Sequence, residues 1–163
     1  MNPPVISRAI LTRLQADTGT GGLYHGSVWN TITSANYNLG APATSFNPPY
    51  LVWAIRMECA HLDGAMGAKA RVTFRVVDNS TSANANIEAV FDRLIGDAVL
   101  SSGTWGVPTY GFHNHKLVLP TNTLGALASE MNYLDAEIAP DDQNYLIGTM
   151  TFDVNTTAAA VNQ

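Results

Sequence analysis

The stretch Tyr50-Leu-Val-Trp-Ala-Ile-Arg-Met-Glu-Cys-Ala-His61 decides the fold class, because its apolar residues alternate with a period of two. One face of this segment is apolar and comprises Leu51, Trp53, Ile55, Met57 and Cys59. The other face is mixed and comprises Val52, Ala54, Arg56, Glu58 and Ala60. Such alternation is typical of a half-buried β-strand. A glycine-containing turn at 62–69 leads to a second alternating segment at 70–78, so the two predict an antiparallel hairpin.

Two segments with helical periodicity flank this hairpin. In residues 4–16 the apolar side chains recur at Ile6, Ile10 and Leu14, and the run ends before a glycine-rich stretch. In residues 82–100 they recur at Ile87, Phe91, Leu94 and Ala98, after a stretch rich in capping residues. Spacings of three and four place these side chains on one face of a helix, so we expect helices over 4–16 and 82–100.

Alternation returns in the second half of the chain at 109–119 and at 144–156, and we expect strands there. Residues 18–49 and 120–143 are expected to be long loops. Part of 123–133 is compatible with either a short helix or a strand. The element order is then α-β-β-α-β-β. It predicts a single α+β domain over 1–163, with an antiparallel or mixed sheet of about four or more strands and both helices on one face.

Charge is scarce and unevenly distributed in this sequence. Charged residues make up 13% of the chain and the net charge is −5, which argues against general nucleic-acid binding. Residues 1–77 carry a net charge of +3 and residues 78–163 a net charge of −8. The acidic run at 130–142 is either a solvated loop or one side of a dipolar subunit suited to head-to-tail contacts. No apolar run is long enough to span a membrane, and the first residues, MNPPVISRAI, predict no signal peptide.

Two long stretches, 18–49 and 98–115, contain aromatic residues but no Asp, Glu, Lys or Arg. Disordered linkers are usually charged and poor in aromatics, so we expect these stretches to be covered. The covering surface is either the same domain or a neighbouring molecule, and the sequence leaves both open.

Residues for chemistry are few and poorly spaced. His113 and His115 would share a strand face, but a metal site needs a third ligand and ordered partners, which no spaced set of Cys, His or Glu supplies. Cys59, the single cysteine, excludes an intramolecular disulfide and is expected to be a buried, inert thiol. Neither a GxSxG nor a Walker motif is present. We therefore expect no catalytic, metal or cofactor residues, and a role in assembly.

The sequence resembles the tail terminator (tail completion) proteins of long-tailed bacteriophages, of the lambda-like type. The resemblance rests on the helix 5–16, the strand led by Pro49-Tyr-Leu-Val-Trp53, the strand Ala70-Arg-Val-Thr-Phe-Arg-Val-Val-Asp78, the helix 86–94 and the closing strand 145–154. It implies a virion protein, assembled in the host cytoplasm, that forms a ring of usually six copies on the tail tube. Such a ring stops polymerisation of the tube protein, contacts the head-completion proteins of the neck and lets DNA pass through its lumen.

The uncharged aromatic stretches and this resemblance together suggest where contacts lie. The residues expected at the interface with other copies or partners are Tyr24, Trp29, Tyr37, Phe46, Trp105, Arg71 and Arg75. The acidic residues hypothesised to face the lumen, where they would repel DNA phosphates, are Glu130, Asp135, Glu137, Asp141 and Asp142. The alternatives are a head-closure stopper or a tube protein, a small metal-binding hydrolase that uses the two histidines, and a module that binds a ligand beneath the uncharged loops.

Overall fold

The computed structural model describes residues 3–18, 22–23, 48–62, 65–118 and 128–157. These ranges contain, in chain order, α1 (Pro3–Ala16), β1 (Tyr50–Leu62), β2 (Ala65–Asp78), α2 (Ala83–Ile95), β3 (Leu100–Ser101), β4 (Thr104–Trp105), β5 (His115–Val118), β6 (Ala128–Pro140) and β7 (Leu146–Thr157). Four residues predicted at the interface lie outside the described residues, namely Tyr24, Trp29, Tyr37 and Phe46.

Five strands form one antiparallel sheet in the order β1-β2-β7-β6-β5, and β3 pairs with β4 in a separate two-stranded ribbon. The predicted hairpin is confirmed, with Trp53 of β1 opposite Phe74 of β2. Both strands extend into the predicted turn at 62–69, since β1 ends at Leu62 and β2 begins at Ala65. The predicted closing strand is β7, which lies at the centre of the sheet between β2 and β6. The α+β class is therefore confirmed.

The core lies on one face of this sheet, where both helices pack. Phe74 is its centre, with ring centroids 5.4 Å from Phe112, 5.7 Å from Phe152 and 6.3 Å from Trp53. The helix α2 contacts β2, β7 and β6, whereas α1 contacts both outer strands, β1 and β5. One helix can reach both edges only because the sheet curls around the core. The predicted placement of both helices on one face is confirmed.

The second helix is shorter than the predicted 82–100, because it ends at Ile95. Gly96 follows with φ of +99°, a conformation that favours glycine. The carbonyls of Leu94 and Ile95, which a longer helix would use, accept hydrogen bonds from the amides of Phe112 (2.8 Å) and His113 (3.0 Å). A returning loop thus terminates α2, and no local pattern in the sequence reveals it.

Two further expectations for the second half are wrong. The strand expected at 109–119 is only β5, since residues 109–114 form a turn. The loop expected at 120–143 contains β6, a strand of 13 residues. A β-bulge between Tyr133 and Asp135 shifts the alternation by one residue there, so the period of two is interrupted within the strand.

Candidate assembly surfaces

The side of the sheet opposite the helices carries most of the strand charges, and we call it the polar face. The register aligns its side chains in rows across the strands, for example Arg75, Thr149 and Glu137 in one row. Its charged residues are balanced, five basic and five acidic: Arg56, Lys69, Arg71, Arg75, Lys116, Glu58, Glu130, Asp135, Glu137 and Asp153. The face is not polar throughout, because Val52 and Ala54 on the same side of β1 are buried.

One ion-pair network occupies the middle of the polar face. The carboxylate of Asp153, whose side chain is 12% exposed, lies 2.8 Å from Nζ of Lys69 and 3.6 Å from Nε of Arg71. Arg71 also lies 3.9 Å from Glu58. The contact between Arg71 and Asp153 is a charge contact without a hydrogen bond, since Nε of Arg71 and Oδ1 of Asp153 have no hydrogen-bond partner among the described residues. Two cations and two anions therefore neutralise one another at this place.

Outside this network, Lys116 of β5 lies opposite Glu130 of β6, and the other four charges lie on opposite sides of the polar face. Arg56 and Arg75 lie on β1 and β2, and Asp135 and Glu137 lie on β6. Among the described residues none of these four side chains forms a salt bridge within 4 Å. Arg56, Asp135 and Glu137 are exposed, whereas Arg75 is half-buried. The fold therefore gives this face a basic side and an acidic side.

The residues predicted for the interface and for the lumen are not on separate surfaces. Arg71 and Arg75 share the polar face with Glu130, Asp135 and Glu137. The other two predicted lumen residues lie in the turn after β6. There the carboxylate of Asp141 accepts hydrogen bonds from the amides of Gln143 and Tyr145, both at 2.8 Å, while Asp142 is exposed. Asp141 therefore shapes the turn.

A second surface consists of an exposed apolar hairpin, residues 97–110, which includes β3 and β4. Its large apolar side chains are unusually open to solvent, with exposed fractions of 69% for Val99, 53% for Leu100, 49% for Trp105 and 86% for Val107. The indole ring of Trp105, one of the predicted interface residues, makes a T-shaped contact with the ring of His113, at a centroid distance of 5.5 Å. The sequence of 98–115 is uncharged and rich in aromatic residues, but Val99 and Val107 were not among the predicted contact residues.

Polar anchors hold the base of the apolar hairpin. The carboxylate of Asp97 accepts hydrogen bonds from the amide of Thr109 at 2.6 Å, from its hydroxyl and from the amide of Tyr110. From α1, Arg13 donates to the carbonyls of Pro108 (2.8 Å) and Gly111 (3.1 Å). The base is thus fixed to the body of the protein while the apolar side chains remain uncovered.

The two histidines considered for metal binding do not share a strand face, because His113 lies in the turn before β5. Nδ1 of His113 accepts a hydrogen bond from the amide of Tyr133 at 3.2 Å. Nδ1 of His115 is buried without a hydrogen-bond partner. Within the part of the chain that the structure describes, no three His, Cys, Asp or Glu side chains are grouped to hold a metal ion. The side chain of Cys59 is not among those described.

Stability is expected to depend on pH through His115. Burial, and secondarily the charge of Arg13, lowers the pKa of His115 from 6.5 to about 4. The unfolded chain therefore binds a proton at this residue between about pH 6.5 and pH 4 that the folded chain does not, and stability falls as the pH decreases through this window. Denaturant midpoints measured from pH 7 to pH 5 should fall less steeply for His115→Asn than for the unsubstituted chain. Equal slopes would contradict this assignment.

No helix within the described ranges is long and apolar enough to cross a membrane. No protein-family model matches the chain, and a search of curated proteins gives no match either. The fold is similar to that of a chain in a solved structure described as "Virion of native gene transfer agent (GTA) particle". The two chains superpose with a TM-score of 0.52 over 94% of this chain and 95% of that chain, at 15% sequence identity. At this level of identity the comparison shows a shared fold.

Proposed function

We propose that the chain is a structural protein of a phage-like virion and acts there without catalysis. The observation that carries the proposal is a fold shared from end to end with a chain of a virion particle, over 94% of one chain and 95% of the other. A polar face with unlike sides and an exposed apolar hairpin support it, because assembly proteins need surfaces that other molecules cover.

Within the virion, we propose the role of a tail terminator built from a single domain. In this role the chain forms a ring, with six copies as the expected number, that caps the tail tube and joins it to the head-completion proteins. The polar face borders the lumen through which DNA passes, with Glu130, Asp135 and Glu137 among its acidic residues. Balanced charge on that face would give DNA phosphates few net cations to bind.

Assembly with the tail tube protein of the same virion tests this role. A terminator should shorten tubes when it is added during polymerisation and should appear by electron microscopy as a ring at one tube end. Long polymers of the chain by itself would instead indicate a tube protein. Rings that bind isolated necks but leave tube length unchanged would indicate a head-closure stopper. Light scattering at several concentrations gives the number of copies.

Truncation of the apolar hairpin should impair assembly and leave folding intact. Trp105 is 49% exposed, so Trp105→Ala should change the free energy of unfolding by less than about 1 kcal/mol. At an interface, loss of an aromatic anchor costs about 2 kcal/mol or more, which is roughly a thirtyfold weaker association. Sedimentation measures how strongly the variant associates with tubes and how strongly its own copies associate with one another. Gln15→Ala, an exposed change on α1, is the control, and equal binding by both variants would contradict the role of Trp105.

A further inference from the structure

We propose that copies of this chain join head to tail through the two outer edges of the five-stranded sheet. In this arrangement β1 of one copy lies beside residues 134–140 of β6 in the next copy, and Arg56 faces Asp135 and Glu137 across the contact. The inference rests on the proposed function in one respect, namely that the protein assembles with itself into a ring.

Two strand edges lack a partner among the described residues. β1 is the first strand of the sheet order and pairs only with β2. On the other side of the sheet, β5 pairs with β6 only along residues 128–131. The next amide on this edge, that of Tyr133, donates a hydrogen bond to Nδ1 of His113. From Leu134 onward β6 is paired only with β7. Unpaired backbone amides and carbonyls on such edges can extend a sheet into a neighbouring molecule.

The charges at these two edges are complementary. Arg56 lies on the edge strand β1, with Arg75 one strand further in, whereas Asp135 and Glu137 lie on the edge part of β6. Glu58, which is also on β1, is already 3.9 Å from Arg71. All four belong to the polar face, and none forms a salt bridge within the described part of the chain. Paired strands lie about 4.8 Å apart, which is within the reach of an arginine side chain from one edge to the other. The contact would therefore provide the ion-pair partners that the single copy lacks.

Contacts between like edges are disfavoured by the same charges. Joining two β6 edges would place Asp135 and Glu137 of both copies together, and joining two β1 edges would bring Arg56 of both copies together. Such like-charge arrangements oppose association, so a two-fold symmetric dimer through these edges is not expected. A head-to-tail contact repeats from copy to copy and closes into a ring when its rotation allows.

Charge reversal at the two edges tests the contact. Arg56→Glu alone and Glu137→Arg alone should each weaken self-association by about tenfold or more per contact, because each creates like-charge neighbours. The double variant Arg56→Glu/Glu137→Arg should regain association. An equimolar mixture of the two single variants should also regain it, since the copies can alternate around the ring. Arg8→Glu and Asp92→Arg, exposed changes on the two helices, serve as controls. Light scattering and electron microscopy report the assembly state.

Thiol crosslinking provides a second readout, because a covalent link traps even a weak contact. In a Cys59→Ala background, Arg56→Cys and Glu137→Cys copies are treated with a short bismaleimide crosslinker. The mixture should give a covalent dimer, neither variant alone should do so, and the chain with both cysteines should give a ladder that ends at the number of copies in the ring.

The two proposals fail in different ways. One outcome is that chains with either single charge reversal cap tubes normally and that no crosslinked dimer forms. This outcome would overturn the contact and leave the terminator role in place. Charge-dependent rings that leave tube length unchanged would overturn the terminator role and leave this contact in place. A chain that neither associates nor crosslinks at any concentration, on or off the tube, would overturn the contact.

Discussion

Gly111→Ala should lower the free energy of unfolding by about 3–4 kcal/mol, one of the two largest effects expected for a single substitution in this protein. Gly111 has φ of +79°, which costs an alanine about 1–2 kcal/mol. A Cβ atom at this position would also lie 2.5 Å from the backbone nitrogen of Gly96 and 2.7 Å from the carbonyl carbon of Ile95. Because these atoms are backbone, no rotamer change relieves the overlap, and overpacking adds about 1–3 kcal/mol. Urea unfolding followed by circular dichroism measures the loss.

Gly103→Ala is the matched control for this substitution. Gly103 also has a positive φ, +80°, but no atom lies within 4 Å of the position a Cβ would take. It therefore isolates the backbone cost, and we expect a loss of about 1 kcal/mol. Equal losses for the two variants would contradict the close approach of Gly111 to Gly96. The comparison matters for assembly, because this approach is where the apolar hairpin returns to the body of the protein.

The elements that the sequence predicts well are those whose burial is regular along the chain. The alternation in 50–61, 70–78 and 144–156 corresponds to strands, and the spacing in 4–16 corresponds to α1, because each buries one uninterrupted face. Where a tertiary contact interrupts the regular burial, the prediction fails. Leu134 is the extra residue of the bulge in β6 and reverses the alternation there. The end of α2 depends on hydrogen bonds from residues that are 18 positions away in the sequence.

The candidate surfaces show a similar division. The uneven charge and the uncharged aromatic stretch around Trp105 could be read from the sequence, because both are properties of composition. The sharing of one face by Arg75 and Glu137 could not be read, since it requires β7 to insert between β2 and β6. On one side β7 pairs with β2, which is not its neighbour in the sequence. Arg75 and Glu137 are aligned because each lies opposite Thr149, so their alignment depends on the register of three strands. Arg56 was recognised as a strand residue but not as a contact residue for the same reason.

The other large effect is expected from Asp17→Asn, which removes one partner of a buried ion pair. Asp17 follows α1, and its carboxylate accepts hydrogen bonds from Nε of Arg93 at 2.7 Å and from Nη2 of the same side chain. The two side chains are only 7% and 15% exposed. The hydrogen bond that Arg93 donates to Asp17 raises the pKa of Arg93 above its usual value, although burial opposes this. The guanidinium also lies 3.5 Å from the ring centroid of Tyr110.

Because the guanidinium of Arg93 stays charged, Asp17→Asn leaves a largely buried cation without its counter-ion, which costs about 3–5 kcal/mol. The amide of Leu23 loses a charged acceptor as well, since it donates to the same carboxylate at 3.3 Å. The loss should change little between low and high salt, because a buried pair is screened weakly. Chemical denaturation in urea at two salt concentrations measures both quantities.

Asp92→Asn provides the matched control, because Asp92 is exposed and precedes Arg93 in α2, and we expect a change within about 0.5 kcal/mol. Arg93→Met should be nearly as harmful as Asp17→Asn, since it leaves the carboxylate unpaired. The double variant Asp17→Leu/Arg93→Met should lose less than the two single losses added together, because no buried charge remains without a partner. Strictly additive losses would mean that the two side chains do not stabilise one another, and that the end of α1 is held to α2 by apolar packing alone.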